Sequence, residues 1–125
     1  MAARQPKIPG PDHPITVEKT GRRVVVRVGE TVLADTTGAL TLQEANYPAV
    51  QYVPLADIDS KLLTPTDTQT YCPYKGDASY YTISLPDREL TDAVWFYKEP
   101  YDSVAEIAGH AAFYTDRVEV VVDSK

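Results

Sequence analysis

Arg22-Arg23-Val24-Val25-Val26-Arg27-Val28-Gly29-Glu30-Thr31-Val32-Leu33-Ala34-Asp35 is the stretch on which the fold turns. Successive side chains of a strand point to opposite faces, so Val24, Val26 and Val28 share one face while Arg23, Val25 and Arg27 share the other. Gly29-Glu30 then supplies a two-residue loop in which glycine takes positive φ without steric cost. A β-branched strand, a tight turn and a second strand spell an antiparallel hairpin.

The same grammar runs outward in both directions. Ile15 to Lys19 is a short strand closed by the turn signal Thr20-Gly21, and Leu40 and Leu42 alternate after Thr37-Gly38. Tyr47-Pro48 through Val53-Pro54 reads as an extended, edge-like segment, because proline cannot donate to a ladder. Residues 55–66 are irregular, with one helical turn near Asp57 to Leu63. Thr68 to Cys72, Ala78 to Leu85, Ala93 to Lys98, His110 to Tyr114 and Val118 to Val122 read as strands. One short helix is expected near residues 103–108, opened by Asp102 or Ser103 as a cap and closed at Gly109. About nine short strands, with turn signals every eight to twelve residues, predict an all-β, mainly antiparallel sandwich or partly open barrel.

A chain of 125 residues makes one domain and buries a core without disulfides or a structural metal. Residues 1–14 carry prolines at 6, 9, 11 and 14 and form an extended arm, mobile unless it packs on the body. His13 sits in that arm and carries little functional weight on sequence grounds. Residues 15–125 are the single β-rich domain. The net charge of −6 is uneven, with six Lys/Arg against three Asp/Glu in residues 1–30 and six against fifteen beyond. An acidic body argues against nucleic acid, whose phosphates need a basic stripe. The ladder Arg22, Arg23, Arg27 is a solvated strand face or a local contact for an anion. No apolar run is long enough to span a membrane. With one cysteine and no signal-like apolar leader, the expectation is a cytoplasmic protein.

Chemistry concentrates in three pieces. Cys72-Pro73-Tyr74-Lys75-Gly76 places a thiol, a phenol and an amine within five residues. Ala93-Val94-Trp95-Phe96-Tyr97 holds the only tryptophan, and Gly109-His110-Ala111-Ala112-Phe113-Tyr114 the only histidine outside the arm. Cys72 is a nucleophile if a cation holds its thiolate, and otherwise a small buried side chain. Lys75 is an anion binder or base, or a solvated turn lysine. His110 is an acid/base candidate or a hydrogen-bonded structural histidine. Tyr74, Tyr80, Trp95, Tyr97 and Tyr114 are sheet packing or the wall of an aromatic ligand site. Alternation sets Tyr80 and Tyr81 on opposite faces and Trp95 and Tyr97 on the same one. Phosphate-loop, dinucleotide and serine-elbow motifs are absent, and one cysteine with two histidines does not suit a four-ligand zinc site.

Tyr47-Pro48, Thr70 to Gly76, Ala78-Ser79-Tyr80-Tyr81, Trp95-Phe96-Tyr97 and Ile107 to Tyr114 together resemble the bacterial family named domain of unknown function 427, which also carries a nucleotidyltransferase-like label. The resemblance covers roughly residues 22–122. It implies a β-tent-like fold, two antiparallel sheets leaning together over a cleft. Several β-tent relatives hold zinc between two Cys-x-x-Cys knuckles; Cys72 stands alone, so that zinc does not carry over and no cofactor or metal is expected. Relatives with an aromatic cage favour the binding role of Tyr74, Trp95 and Tyr97.

The leading expectation is therefore a domain that binds a small anionic or planar molecule in an aromatic-polar cleft lined by Tyr74, Lys75, Tyr80, Trp95, Tyr97, His110 and Tyr114. One alternative is a small enzyme with His110 as acid/base, Lys75 as electrostatic stabiliser and Cys72 as nucleophile. Another is a protein-interaction domain, including assembly as a homo-oligomer.

Overall fold

The computed structural model describes residues 6–123. Among them run ten strands: β1 Ile15–Lys19, β2 Val24–Val28, β3 Thr31–Thr36, β4 Leu40–Glu44, β5 Val50–Pro54, β6 Leu63–Cys72, β7 Gly76–Ser84, β8 Glu89–Tyr97, β9 His110–Phe113 and β10 Glu119–Val122. Every strand pairing is antiparallel. A large sheet has the order β1-β4-β5-β9-β8-β7-β6, and a small one the order β10-β2-β3.

The expected hairpin is β2–β3. Gly29 takes φ 58° in its turn, and Val24, Val26 and Val28 are buried. Their apolar face packs with Leu33 onto Val53, Ile83, Val94, Phe96 and Phe113 of the large sheet. Each such side chain removed from water contributes on the order of 1.5–3 kcal/mol, so this interface is the main source of stability. On the outer face, Arg23 makes two hydrogen bonds to Asp35 across the hairpin and Arg27 pairs with Glu119 of β10.

The opposite face of the large sheet is also covered. Leu42, Tyr52, Ala78, Tyr80, Tyr97 and Ala112 pack there against Val104 and Ile107. Those last two belong to Asp102–Ile107, the segment expected as a short helix. It is a 3-10 element broken at Val104 (φ −131°, ψ 30°), not an α-helix. Six residues are too few to repay helix nucleation, and burial of Val104 and Ile107 fixes the tighter turns instead.

Two other expectations change. The segment ending in Pro54 is interior, because β5 lies between β4 and β9; Pro48 falls outside the strand and Pro54 at its last position, so neither blocks the ladder. Residues 55–66 hold two 3-10 turns, Leu55–Asp57 and Ser60–Leu62, but a strand already starts at Leu63. It accommodates Pro65 because β6 is the sheet edge and its register shifts between Pro65 and Gln69.

The proline-rich arm packs on the body over its described part. The Lys7 N–H donates to the Pro73 carbonyl at 2.8 Å, and the Ala45 N–H to the Pro14 carbonyl at 2.8 Å. Positions 1–5 of the arm lie outside the described residues.

Candidate functional site

The large sheet splits near its middle. β5 pairs with β4 through Leu40↔Tyr52, Thr41↔Gln51 and Leu42↔Val50. With β9 it pairs only through Val53↔Ala111 and Pro54↔His110. Continuing that register would set Tyr52 opposite Ala112, Gln51 opposite Phe113 and Val50 opposite Tyr114. Those pairs do not form, while β9 continues along β8 through Trp95↔Ala112 and Val94↔Phe113 and the Tyr114 N–H reaches the Ala93 carbonyl at 3.1 Å. β5 meanwhile stays with β4. The gap is a cleft of about 430 Å³, walled by Val50 and Gln51 on one side and by Trp95, Phe113 and Tyr114 on the other.

Its aromatic wall is tied into the fold. Trp95 and Tyr114 rings lie 4.6 Å apart at 47°. The Trp95 indole N–H donates to the Tyr52 hydroxyl at 3.2 Å, with the two rings edge-to-face. The Tyr80 hydroxyl meets Thr70 Oγ1 at 2.9 Å and the Tyr114 hydroxyl at 3.4 Å. Burial pushes the Tyr52 and Tyr97 phenols well above the ordinary tyrosine range. Tyr114 is pushed up to about 12, by burial and then by its hydrogen bond to Tyr80. Tyr52 and Tyr97 are buried behind the cleft, and of these three rings only Tyr114 lines it.

A second cluster sits where the arm meets the β6–β7 turn. Lys75 Nζ donates to Glu44 Oε1 at 2.7 Å, and His13 Nε2 to Glu44 Oε2 at 2.7 Å. His13 stacks on Tyr74, and Lys75 Nζ is 3.9 Å from Cys72 Sγ. Burial raises the Glu44 pKa, but the hydrogen bonds from Lys75 and His13 outweigh it, and the carboxyl stays below its ordinary value. The two clusters adjoin, since Cys72 packs, as Trp95 does, against the buried group that contains Tyr52 and Tyr97.

The residues singled out in the sequence thus fall into three places. Tyr80, Trp95 and Tyr97 lie on one face of the large sheet, with Tyr114 against Trp95. Lys75 bonds the Glu44 carboxylate, which neutralises its ammonium, while Cys72 lies beside Lys75 Nζ and Tyr74 is stacked on His13. His110 stands apart, its Nδ1 bonded to the Ala108 carbonyl at 2.9 Å, and it does not line the cleft. Sequence reasoning passed over Gln51 and Tyr52, although both lie in the extended segment it found. Glu44 carries no local signal of a role and His13 little weight as part of the arm, because His13 and Lys75 meet only on the Glu44 carboxylate, 31 residues from each in the chain. Among the described residues, no group of three or more His, Cys, Asp or Glu is placed to hold a metal ion, and no helix is long and apolar enough to cross a membrane.

Residues 16–124 match the family described as domain of unknown function (DUF427), and the chain belongs to that family. No curated protein matches it.

Proposed function

We propose that this member of the DUF427 family binds a small planar molecule in the cleft between β5 and β9. The observation that carries the reading is the split ladder: a gap of about 430 Å³ walled by Trp95, Phe113 and Tyr114. Backbone that leaves a sheet in this way forgoes ladder hydrogen bonds, and a concave, largely apolar gap with a few polar groups at its edge is the usual form of a small-molecule site. Gln51 and the hydroxyl of Tyr114 supply those polar groups.

Catalysis by His110 with Lys75 and Cys72 has weaker support. The imidazole is bonded to its own loop, and the lysine is held by Glu44. A general base must lie within hydrogen-bond reach of the group it serves, directly or through one water.

Trp95 is the only tryptophan, so fluorescence excited at the red edge of the absorption band, where the nine tyrosines absorb little, reports on the cleft. Titration with flat aromatic compounds should give a saturable change in Trp95 emission, and non-planar aliphatic compounds of equal size should give none. The affinity should weaken by about two- to tenfold in Tyr114→Ala, the loss expected when one stacking surface is removed. Emission indifferent to every planar compound would refute the reading.

A further inference from the structure

The cleft continues past Gln51. A second cavity, of about 280 Å³, shares Gln51 and Val122 with it and is rimmed by Lys19, Arg22 and Glu18. Gln51 stands at the junction. Its Oε1 accepts from Thr20 Oγ1 at 2.7 Å and from Thr41 Oγ1 at 3.2 Å, which leaves the amide N–H groups as donors.

Charge separates the two ends. No charged side chain lines the first cavity, whereas two cations and one carboxylate rim the second. The other cations nearby are engaged: Arg23 with Asp35, Arg27 with Glu119, and Lys75 with Glu44. Arg117 donates to the carbonyls of Thr91 and Asp92 and lies over the Tyr114 ring. Lys19 and Arg22 make no ion pair among the described residues.

From these observations we infer that the groove takes an elongated ligand, with a flat ring against Trp95 and Tyr114 and a single anionic group, a carboxylate or phosphate ester, at Lys19 and Arg22. Gln51 donates to the linker between them. The inference rests on the reading of the β5–β9 cleft as a small-molecule site and adds the charge and length of the ligand.

The test uses two probes of the same ring and chain, 4-phenylbutyrate and 4-phenylbutan-1-ol, titrated against the full chain and followed by Trp95 emission. The acid should bind about fivefold tighter than the alcohol at low salt, the scale of a solvent-exposed ion pair. Added salt should shrink that preference. Arg22→Gln combined with Lys19→Gln should abolish it without changing the affinity of the alcohol. Equal binding of the two probes, or a preference that survives the double substitution, overturns the anionic end and leaves the aromatic cleft standing. Failure of both probes to change Trp95 emission overturns both readings. A free phosphate anion added as competitor separates the carboxylate and phosphate sources: displacement of the acid but not the alcohol places phosphate in the same subsite, and no displacement restricts the site to carboxylates.

Discussion

The imidazole of His13 lies flat on the phenol of Tyr74, ring centroids 4.2 Å apart and planes 7° from parallel. The same imidazole bonds Glu44, so one arm residue closes both a stack and a carboxylate contact. His13→Ala removes both and should cost ~1–2 kcal/mol of stability. Denaturant unfolding measures it, and Tyr74→Ala should add little in that background because the stack is already gone. Fully additive losses would mean that the two rings are neighbours without being coupled.

Glu44 joins the Lys75 ammonium to the His13 imidazole, and its side chain is only 15% exposed, as that of Lys75 is 12%. Glu44→Gln leaves the Lys75 ammonium enclosed without its counter-charge and should cost about 2–3 kcal/mol. Lys75→Met in the same chain should return part of that loss, because the stranded charge is then gone. A double variant no more stable than Glu44→Gln would sink this account.

The same carboxylate sets an acid limit. Its folded pKa lies below the ordinary 4.5, so its contribution is present above that value and fades as pH falls through the folded pKa. Stability of the wild type should therefore decline below pH 4.5 more steeply than that of Glu44→Gln. Parallel acid limbs in equilibrium unfolding would contradict the linkage.

Gly76 closes the β6–β7 turn at φ +114°, a region that L side chains rarely enter, and an added Cβ would stand 3.4 Å from the Glu99 carbonyl oxygen. Gly76→Ala should cost about 1–3 kcal/mol. Because Lys75 is held on the next peptide, with its carbonyl accepting from Tyr101 N–H at 2.9 Å, part of that loss should appear as a weaker Lys75–Glu44 coupling. A variant as stable as the wild type would show that the turn relaxes freely.

How much of this was legible in the sequence follows from which signals are local. Alternation at Val24, Val26 and Val28, and at Trp95 and Tyr97, fixed the faces, because period two is a property of neighbouring residues. The short helix expected at 103–108 is there as a 3-10 element: helix signals at its ends are those of any helical turn, and only packing of Val104 and Ile107 decides between α and 3-10. The site was half legible. Trp95, Tyr80 and Tyr114 announce themselves by aromatic density. The cleft beside them depends on where the β5–β9 ladder stops, at Val53↔Ala111, and no local pattern marks that end of a pairing between distant parts of the chain. The pairing of Lys75 with Glu44 was equally hidden, since a lysine in a turn gives no sign of a carboxylate arriving from another strand.

The phenols in and behind the cleft predict an alkaline limit. Tyr52, Tyr97 and Tyr114 all have folded pKa values above the ordinary 10, with Tyr114 at about 12. A group whose folded pKa is raised adds stability below its unfolded value and loses it as pH climbs toward the folded one. Stability should thus fall above pH 10, and the phenolate absorbance of Tyr52 and Tyr97, both almost fully buried, should rise only as the fold gives way. Tyr114→Phe should remove one late-ionising group while keeping the ring against Trp95, so ligand stacking survives and the alkaline limb becomes shallower. Ionisation of all nine tyrosines in one step at the ordinary value, with Trp95 emission unchanged, would mean that the Trp95–Tyr114 wall is open to water and that burial does not hold these phenols neutral.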